Sequence, residues 1–277
     1  MKKKIGKCVL CGKEGELTFE HIPPRAAFNS NPAKPVSGDS LLFEEKAIGD
    51  EERMPWDIEG LPYLNQQKGM GLYSLCRECN NSTGSWYGNA YVDFAYKAHK
   101  AIQTIERDEF DRIGFNEIYP LRFIKQVISM FCSINHGYMN PLFEPLREFV
   151  LNKEKIGLDK AKYKLCMYLT DSRIMKYNGL SVLLNLKVAP VESMVLSEIT
   201  AYPFGFILYL NPTDTWEYKG VDITTLADCD YDCKVQVDIP WKIKEVNDIY
   251  PESYRSKDEI LECIENSRDW HKEHNER

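Results

Sequence analysis

Cys8-Val9-Leu10-Cys11 and Cys76-Arg77-Glu78-Cys79-Asn80 bracket a stretch of the first hundred residues, with Thr18-Phe19-Glu20-His21-Ile22-Pro23-Pro24-Arg25 between them. Each Cys-x-x-Cys pair sets two thiols at the spacing at which one tight turn carries both sulfurs to a single ion. Two pairs supply four thiolates, the complement of a closed tetrahedral zinc site with no position left for substrate. Gly12 directly follows the first pair, where such a turn closes. Zinc bound there is expected to be structural, standing in for the apolar core that a short, loop-rich segment lacks.

The remaining cysteines support that reading of compartment. Nine cysteines in 277 residues, with no apolar run after the basic opening Lys2-Lys3-Lys4, point to a reducing, cytoplasmic setting in which close pairs are metal ligands before they are disulfides. No segment reaches the roughly 18 consecutive apolar residues of a membrane span. Hydrophobic residues make up 43% of the chain, enough for a packed interior. The net charge of -7 argues against coating nucleic acid by bulk charge. Residues 1–100 carry 13 basic and 13 acidic side chains, against 22 and 29 in the rest. The surplus acidity therefore lies outside the cysteine-bearing segment.

Away from the cysteines the pattern changes twice. Asn29 to Gly69 is rich in Pro, Gly and acidic residues and reads as a long irregular insertion with one short strand near Leu41-Leu42-Phe43. Tyr91, Phe94, Ala95, Ala98, Ile102 and Ile105 recur at helical steps, and Trp86, Tyr87 and Tyr91 are expected in the core of that helix. A second helix is expected from Pro120 through Ile134 and a third from Pro141 to Leu151. Arg122 and Lys125 share a face of the second, which is expected to be solvated. After Gly157 the runs Tyr163–Thr170, Leu180–Val188, Met194–Ala201 and Phe204–Leu210 are rich in β-branched and aromatic residues between turn signals, and read as antiparallel strands. Val221–Leu226 and Lys234–Ile239 are expected to add two more, and Asp258 to His271 a terminal helix capped by Ser256. Cys132, Cys166 and Cys263 read as small hydrophobes on apolar faces, and Cys229 and Cys233 as an incidental pair.

The order CxxC, acid-His-Ile-Pro, CxxC-Asn resembles the zinc-bearing HNH, or ββα-metal (His-Me finger), endonucleases over residues 8 to about 98. The resemblance implies an N-terminal zinc-stapled ββα-metal nuclease module over 1–98; with the helical and strand patterns beyond it, the chain is expected to be α+β, with a helical region over 99–157 and a β-rich antiparallel accessory domain with a terminal helix over 158–277. Phosphodiester hydrolysis needs a water activated near neutral pH, for which the neutral imidazole of His21 is suited as general base. It also calls for a divalent ion on hard oxygen ligands. The resemblance implies that Glu20 and Asn80 hold a catalytic Mg²⁺ or Mn²⁺. Arg25 is placed to contact phosphate. Glu20 stands where many relatives carry Asp, Gly71 where they carry an Asn that orients the histidine, and Thr83 where a basic residue is common.

The expected activity is metal-dependent cleavage of nucleic acid, DNA before RNA. A role in restriction or phage defence rests on family analogy alone. The expected partners are nucleic acid, no membrane, and either a second copy or a regulatory protein. The competing reading is a zinc-stapled module without catalysis that binds nucleic acid or protein. No phosphate loop, nucleophile elbow or paired catalytic acids mark residues 100–277.

Overall fold

A computed structural model describes residues 3–43, 53–104, 111–135, 141–186, 188–241 and 243–275. Ile105, part of the first helical stripe, and the acidic run Asp50-Glu51-Glu52 lie outside them.

Two short strands open the chain, β1 (Lys4–Lys7) and β2 (Glu14–His21), paired antiparallel around the first cysteine turn. β3 (Gly71–Cys76) pairs antiparallel with the other edge of β2, giving the order β1-β2-β3. Between β2 and β3 the insertion is tied across its neck by bridges between Ala33 and Gln66 and between Val36 and Tyr63. Asn29 closes it at the base, donating to the carbonyls of Pro23 and Met70 and accepting from the Met70 N–H. Leu41–Phe43 lies in a helical turn, α1 (Gly38–Phe43), and not in the expected strand. Ser37 caps it: its Oγ accepts the Asp39 N–H at 3.1 Å and its carbonyl the Leu41 N–H, which is local hydrogen bonding that favours a turn over an extended run.

From Cys76 the chain is helical to Thr104: α2 (Arg77–Thr83), a π-helical turn over Gly84–Gly88, and α3 (Asn89–Thr104). β4 (Asp111–Ile118) follows, then α4 (Pro120–Ile134), which begins at the proline as the sequence indicates, and α5 (Glu144–Leu151) after a 3₁₀ turn. The main sheet holds β5 (Tyr163–Thr170), β6 (Lys176–Asn185), β7 (Glu192–Ala201) and β8 (Phe204–Leu210), all antiparallel in the order β5-β8-β7-β6. The free edge of β5 takes β9 (Val221–Asp222) antiparallel and β11 (Ile243–Lys244) parallel. β10 (Val235–Trp241) leaves the sheet to form a ribbon with β4. The expected strand at Val221–Leu226 stops after two residues. Asp222 Oδ1 accepts the Thr224 N–H and starts a 3₁₀ turn, and Thr224 Oγ1 takes the Leu165 N–H that a longer strand would have paired. The terminal helix is α6 (Lys257–Asn275), and Ser256 and Glu259 cap it reciprocally.

Strand alternation divides the sheet's two faces. Tyr163, Leu165, Met167 and Leu169 of β5, with Phe204, Phe206, Leu208 and Leu210 of β8, face the helices; Cys166, Tyr168, Ile207 and Tyr209 face the opposite way against Val246. The helix-side core is one continuous cluster. It runs from Cys8, Leu10 and Leu75 through Tyr87, Tyr91 and Phe94, through α4, to β5, β8 and Val237. Tyr87 and Tyr91 are fully buried in it.

Two surface expectations need correction. Lys125 is fully buried, not solvated: its Nζ donates to the carbonyls of Phe149 and Asn152 at 2.6 Å each, closing the C-terminal end of α5, and burial pushes its pKa down to about 7. Arg122 lies between the Tyr119 and Tyr231 rings and is bound to the Tyr231 carbonyl and Asp232. Cys263 is exposed, whereas Cys132 and Cys166 are buried as expected.

Candidate metal centre and the His21 site

The four cysteines of the two pairs meet. Their Sγ atoms all lie within 4.8 Å of one another, and Cys11 and Cys76 are 3.8 Å apart. A tetrahedron with Zn–S bonds of about 2.3 Å has S···S edges of about 3.8 Å, so the cage suits a Cys₄ zinc. Local structure builds it. Gly12, at φ 73°, donates to the Cys8 carbonyl and closes the first turn, and the Val9 N–H docks that turn on the Ser74 carbonyl. Cys76 is the last residue of β3 and the N-cap of α2, so Cys79 stands in the first turn of that helix, where the backbone favours negative charge. A hydrogen bond from Cys79, aided by the backbone amides of Cys11, Cys76 and Leu10, pulls the Cys8 thiol well below its usual range despite burial. The same contact, seen from Cys79, pushes that thiol up. Among the described residues no other set of three or more His, Cys, Asp or Glu side chains converges in this way.

Glu20 and His21 end β2, and as successive strand residues they leave it on opposite faces. His21 lies beside Phe19, its ring edge-on at 5.0 Å, with Nε2 at 3.0 Å from the Lys68 carbonyl. With Nε2–H donating there, Nδ1 is left as the basic nitrogen. Burial, reinforced by the charge of Arg25, holds the imidazole below its ordinary pKa, so the ring is neutral at neutral pH. Arg25 is exposed.

Glu20 turns inward and is 4% exposed. Ser74 Oγ donates to its Oε2 at 3.0 Å and Ser133 Oγ donates to the same oxygen. Desolvation dominates these bonds and pushes the carboxyl up to about 7. Asn80, on α2, donates its Nδ2 to Thr18 Oγ1 at 2.9 Å and to the Phe19 carbonyl at 3.2 Å, so Oδ1 is the amide atom that remains for a ligand. Thus β2, β3 and α2 bring His21, Glu20 and Asn80 to one strand end, with the Glu20 carboxyl turned into the interior. The donor sets differ in fit. The four sulfurs suit zinc; an ion on Glu20 requires the carboxyl to leave both serines and lose its proton.

Gly71 has a steric reason. It pairs with His21 across β2–β3, and a Cβ there would come 2.0 Å from the Glu20 carbonyl oxygen. No side chain fits where the resembled family carries its orienting Asn, and the contact to the imidazole comes from the Lys68 backbone. The sequence reading missed Ser74, Ser133 and the Lys68 carbonyl. Only Ser74 left a trace, as a lone hydroxyl in the apolar run Leu72 to Leu75. A cavity of about 1610 Å³ opens between the insertion and the main sheet past Phe28, Met70, His99, Tyr177 and Tyr202, and neither His21 nor Asn80 lines it.

No family model, curated protein or solved structure matches the chain.

Proposed function

We propose that the chain is an endonuclease of the HNH type that hydrolyses phosphodiester bonds, in DNA before RNA, with His21 as its general base. What carries the reading is a neutral imidazole at the end of β2, held through one nitrogen by the Lys68 carbonyl, in a β2–β3–α2 unit drawn together by four cysteines. Nδ1 accepts the proton of the attacking water; burial, aided by the charge of Arg25, keeps the ring neutral, and Arg25 draws a phosphate to the same edge. Asn80 anchors the helix to β2 and offers Oδ1 beside that edge. A divalent ion such as Mg²⁺ or Mn²⁺, when bound, supplies stabilisation of the departing oxygen. Structural zinc belongs to the Cys8, Cys11, Cys76 and Cys79 cage.

The test is cleavage of supercoiled and linear DNA in Mg²⁺ or Mn²⁺, beside EDTA and His21→Ala controls. Cleavage that needs the ion and disappears in His21→Ala supports the enzyme. Its rate should rise with pH through an inflection below the ordinary imidazole value of about 6.5. Absence of cleavage from zinc-loaded protein on every substrate form overturns it. A second reading, a zinc-stapled binding module without catalysis, is favoured by one observation: the Glu20 carboxyl is engaged by Ser74 and Ser133.

A further inference from the structure

β6 is the last strand of the main sheet, with β7 on one side and no strand among the described residues on the other. Its Asn178 and Lys176 side chains are tied to the carbonyls of Ile249 and Tyr250, but from Leu180 onward the strand runs out along the sheet margin. Past an irregularity in the register between Asn178 and Ser181, Leu180, Val182 and Leu184 alternate along it and Leu186 follows just beyond its end; they are 39, 61, 60 and 74% exposed. Val188 and Val191 continue the apolar surface around the turn into β7. An edge with unpaired backbone groups is normally guarded by charge, proline or a cover. Asn178 to Leu186 contains no charged residue and no proline.

We propose that this edge is the contact through which two copies of the chain associate, their β6 strands pairing antiparallel across a two-fold axis at Leu183. The sequence is nearly its own mirror about that residue: Leu180-Ser181-Val182-Leu183-Leu184-Asn185-Leu186. The axis sets Val182 opposite Leu184 of the copy, Leu180 opposite Leu186, and Ser181 opposite Asn185. Apolar meets apolar and polar meets polar on both faces, as an isologous contact requires. The absence of charge fits the same occupant. Self-pairing brings no like charges together, and an oppositely charged partner would find nothing to match. The exposed aliphatics of this edge amount to apolar surface on the order of 500 Å² per copy, at the upper end for a monomer's largest patch and more than half of the ~800 Å² that a standard interface takes from each side. Joined at β6, the two main sheets become one continuous sheet, with the two His21 sites on separate bodies.

The experiment is sedimentation equilibrium of the full chain across micromolar concentrations, for the wild type, Val182→Lys/Leu184→Lys and Val182→Thr/Leu184→Thr. Each variant is checked for unchanged circular dichroism and metal content. The expected result is a dimeric wild type, a dimer Kd raised at least ~100-fold by the lysines, and one raised ~10-fold by the threonines, which keep strand propensity. Leu183→Cys supplies a test that leaves the apolar stripe intact: under oxidation it should give a covalent dimer whose peptide map shows the two substituted positions joined by a disulfide. A monomeric wild type overturns the proposal. So does a dimer that the lysines leave unchanged, or one in which Leu183→Cys fails to cross-link, since either places the contact on another face or on another partner.

Discussion

β8 is buried along its whole length, and β5 along nearly all of its own, whereas β1 and β2 keep most of their residues partly or fully exposed. The main sheet is held by apolar area: Phe204 and Phe206 of β8 meet Tyr91, Phe94 and Phe123 of the helices. The N-terminal sheet has few such contacts and gathers four sulfurs instead. The first kind of cohesion spreads over many small terms; the second is concentrated in one set of bonds. Yet Cys8, Leu10 and Leu75 belong to the same core cluster as β5 and β8, so the weaker-packed unit leans on the stronger.

The sharpest way to break that contrast is to remove the metal. Structural Cys₄ zinc contributes about 10 kcal/mol or more to folding of the unit that binds it. Cys79→Ser, or prolonged chelation, should therefore abolish metal content and open residues 3–83 to limited proteolysis, with β5–β8 protected longest. Unchanged proteolysis in metal-free protein would mean that apolar contacts hold the N-terminal unit after all. Next in size is Phe206→Ala, which leaves a cavity in the opposite half and should cost about 3–5 kcal/mol in urea denaturation while bound zinc stays constant. Loss of zinc in that variant would show that the two halves are coupled more tightly than their chemistry suggests.

A smaller effect comes from Glu20. Its folded pKa lies above the unfolded value, so the native state binds the proton more tightly, and stability falls as pH rises from the ordinary carboxylate range through about 7. Glu20→Gln should erase that slope: little difference from wild type at pH 4 and a gain on the order of 3 kcal/mol above pH 7, read from urea midpoints. A flat wild-type profile would show the carboxylate to be ionised and partnered. Smallest is Ser256→Ala, which removes half of the α6 capping box and should cost about 1 kcal/mol, seen as faster amide exchange confined to that helix.

What was legible follows the same divide. The cysteine cage could be read because each pair is local and two such pairs supply a full set of four thiols. Strands such as Tyr163–Thr170 and Phe204–Leu210 announced themselves by β-branched and aromatic residues between turns, to their final residues. β4 did not, because Asp111-Arg112-Ile113-Gly114-Phe115-Asn116-Glu117-Ile118 is half charged or polar and, among the described residues, pairs only with distant β10. The burial of Lys125 was equally hidden: its acceptors, the Phe149 and Asn152 carbonyls, exist only once α5 has ended beside it. At the site, the family resemblance singled out His21, Glu20 and Asn80, and the fold sets them near one strand end. The inward turn of Glu20 depends on Ser133, 113 residues away, and nothing local encodes it.

The neck of the insertion has a consequence for how this chain can change. β2 and β3 are neighbours in the sheet, yet residues 22–70 separate them, and Asn29 fastens the base of that excursion to Met70 before the Ala33–Gln66 and Val36–Tyr63 bridges begin. Doubling a loop's length adds only about 0.6 kcal/mol of closure entropy, so whatever lies beyond a pinned neck weighs little on the strands that carry it. Lengthening the chain between Val36 and Tyr63 is therefore expected to leave His21 and the cysteine cage in place, provided that buried Leu61 and Trp56, which packs under Lys257, are kept. Sequence can diversify there at a rate that the strand end bearing His21 cannot follow.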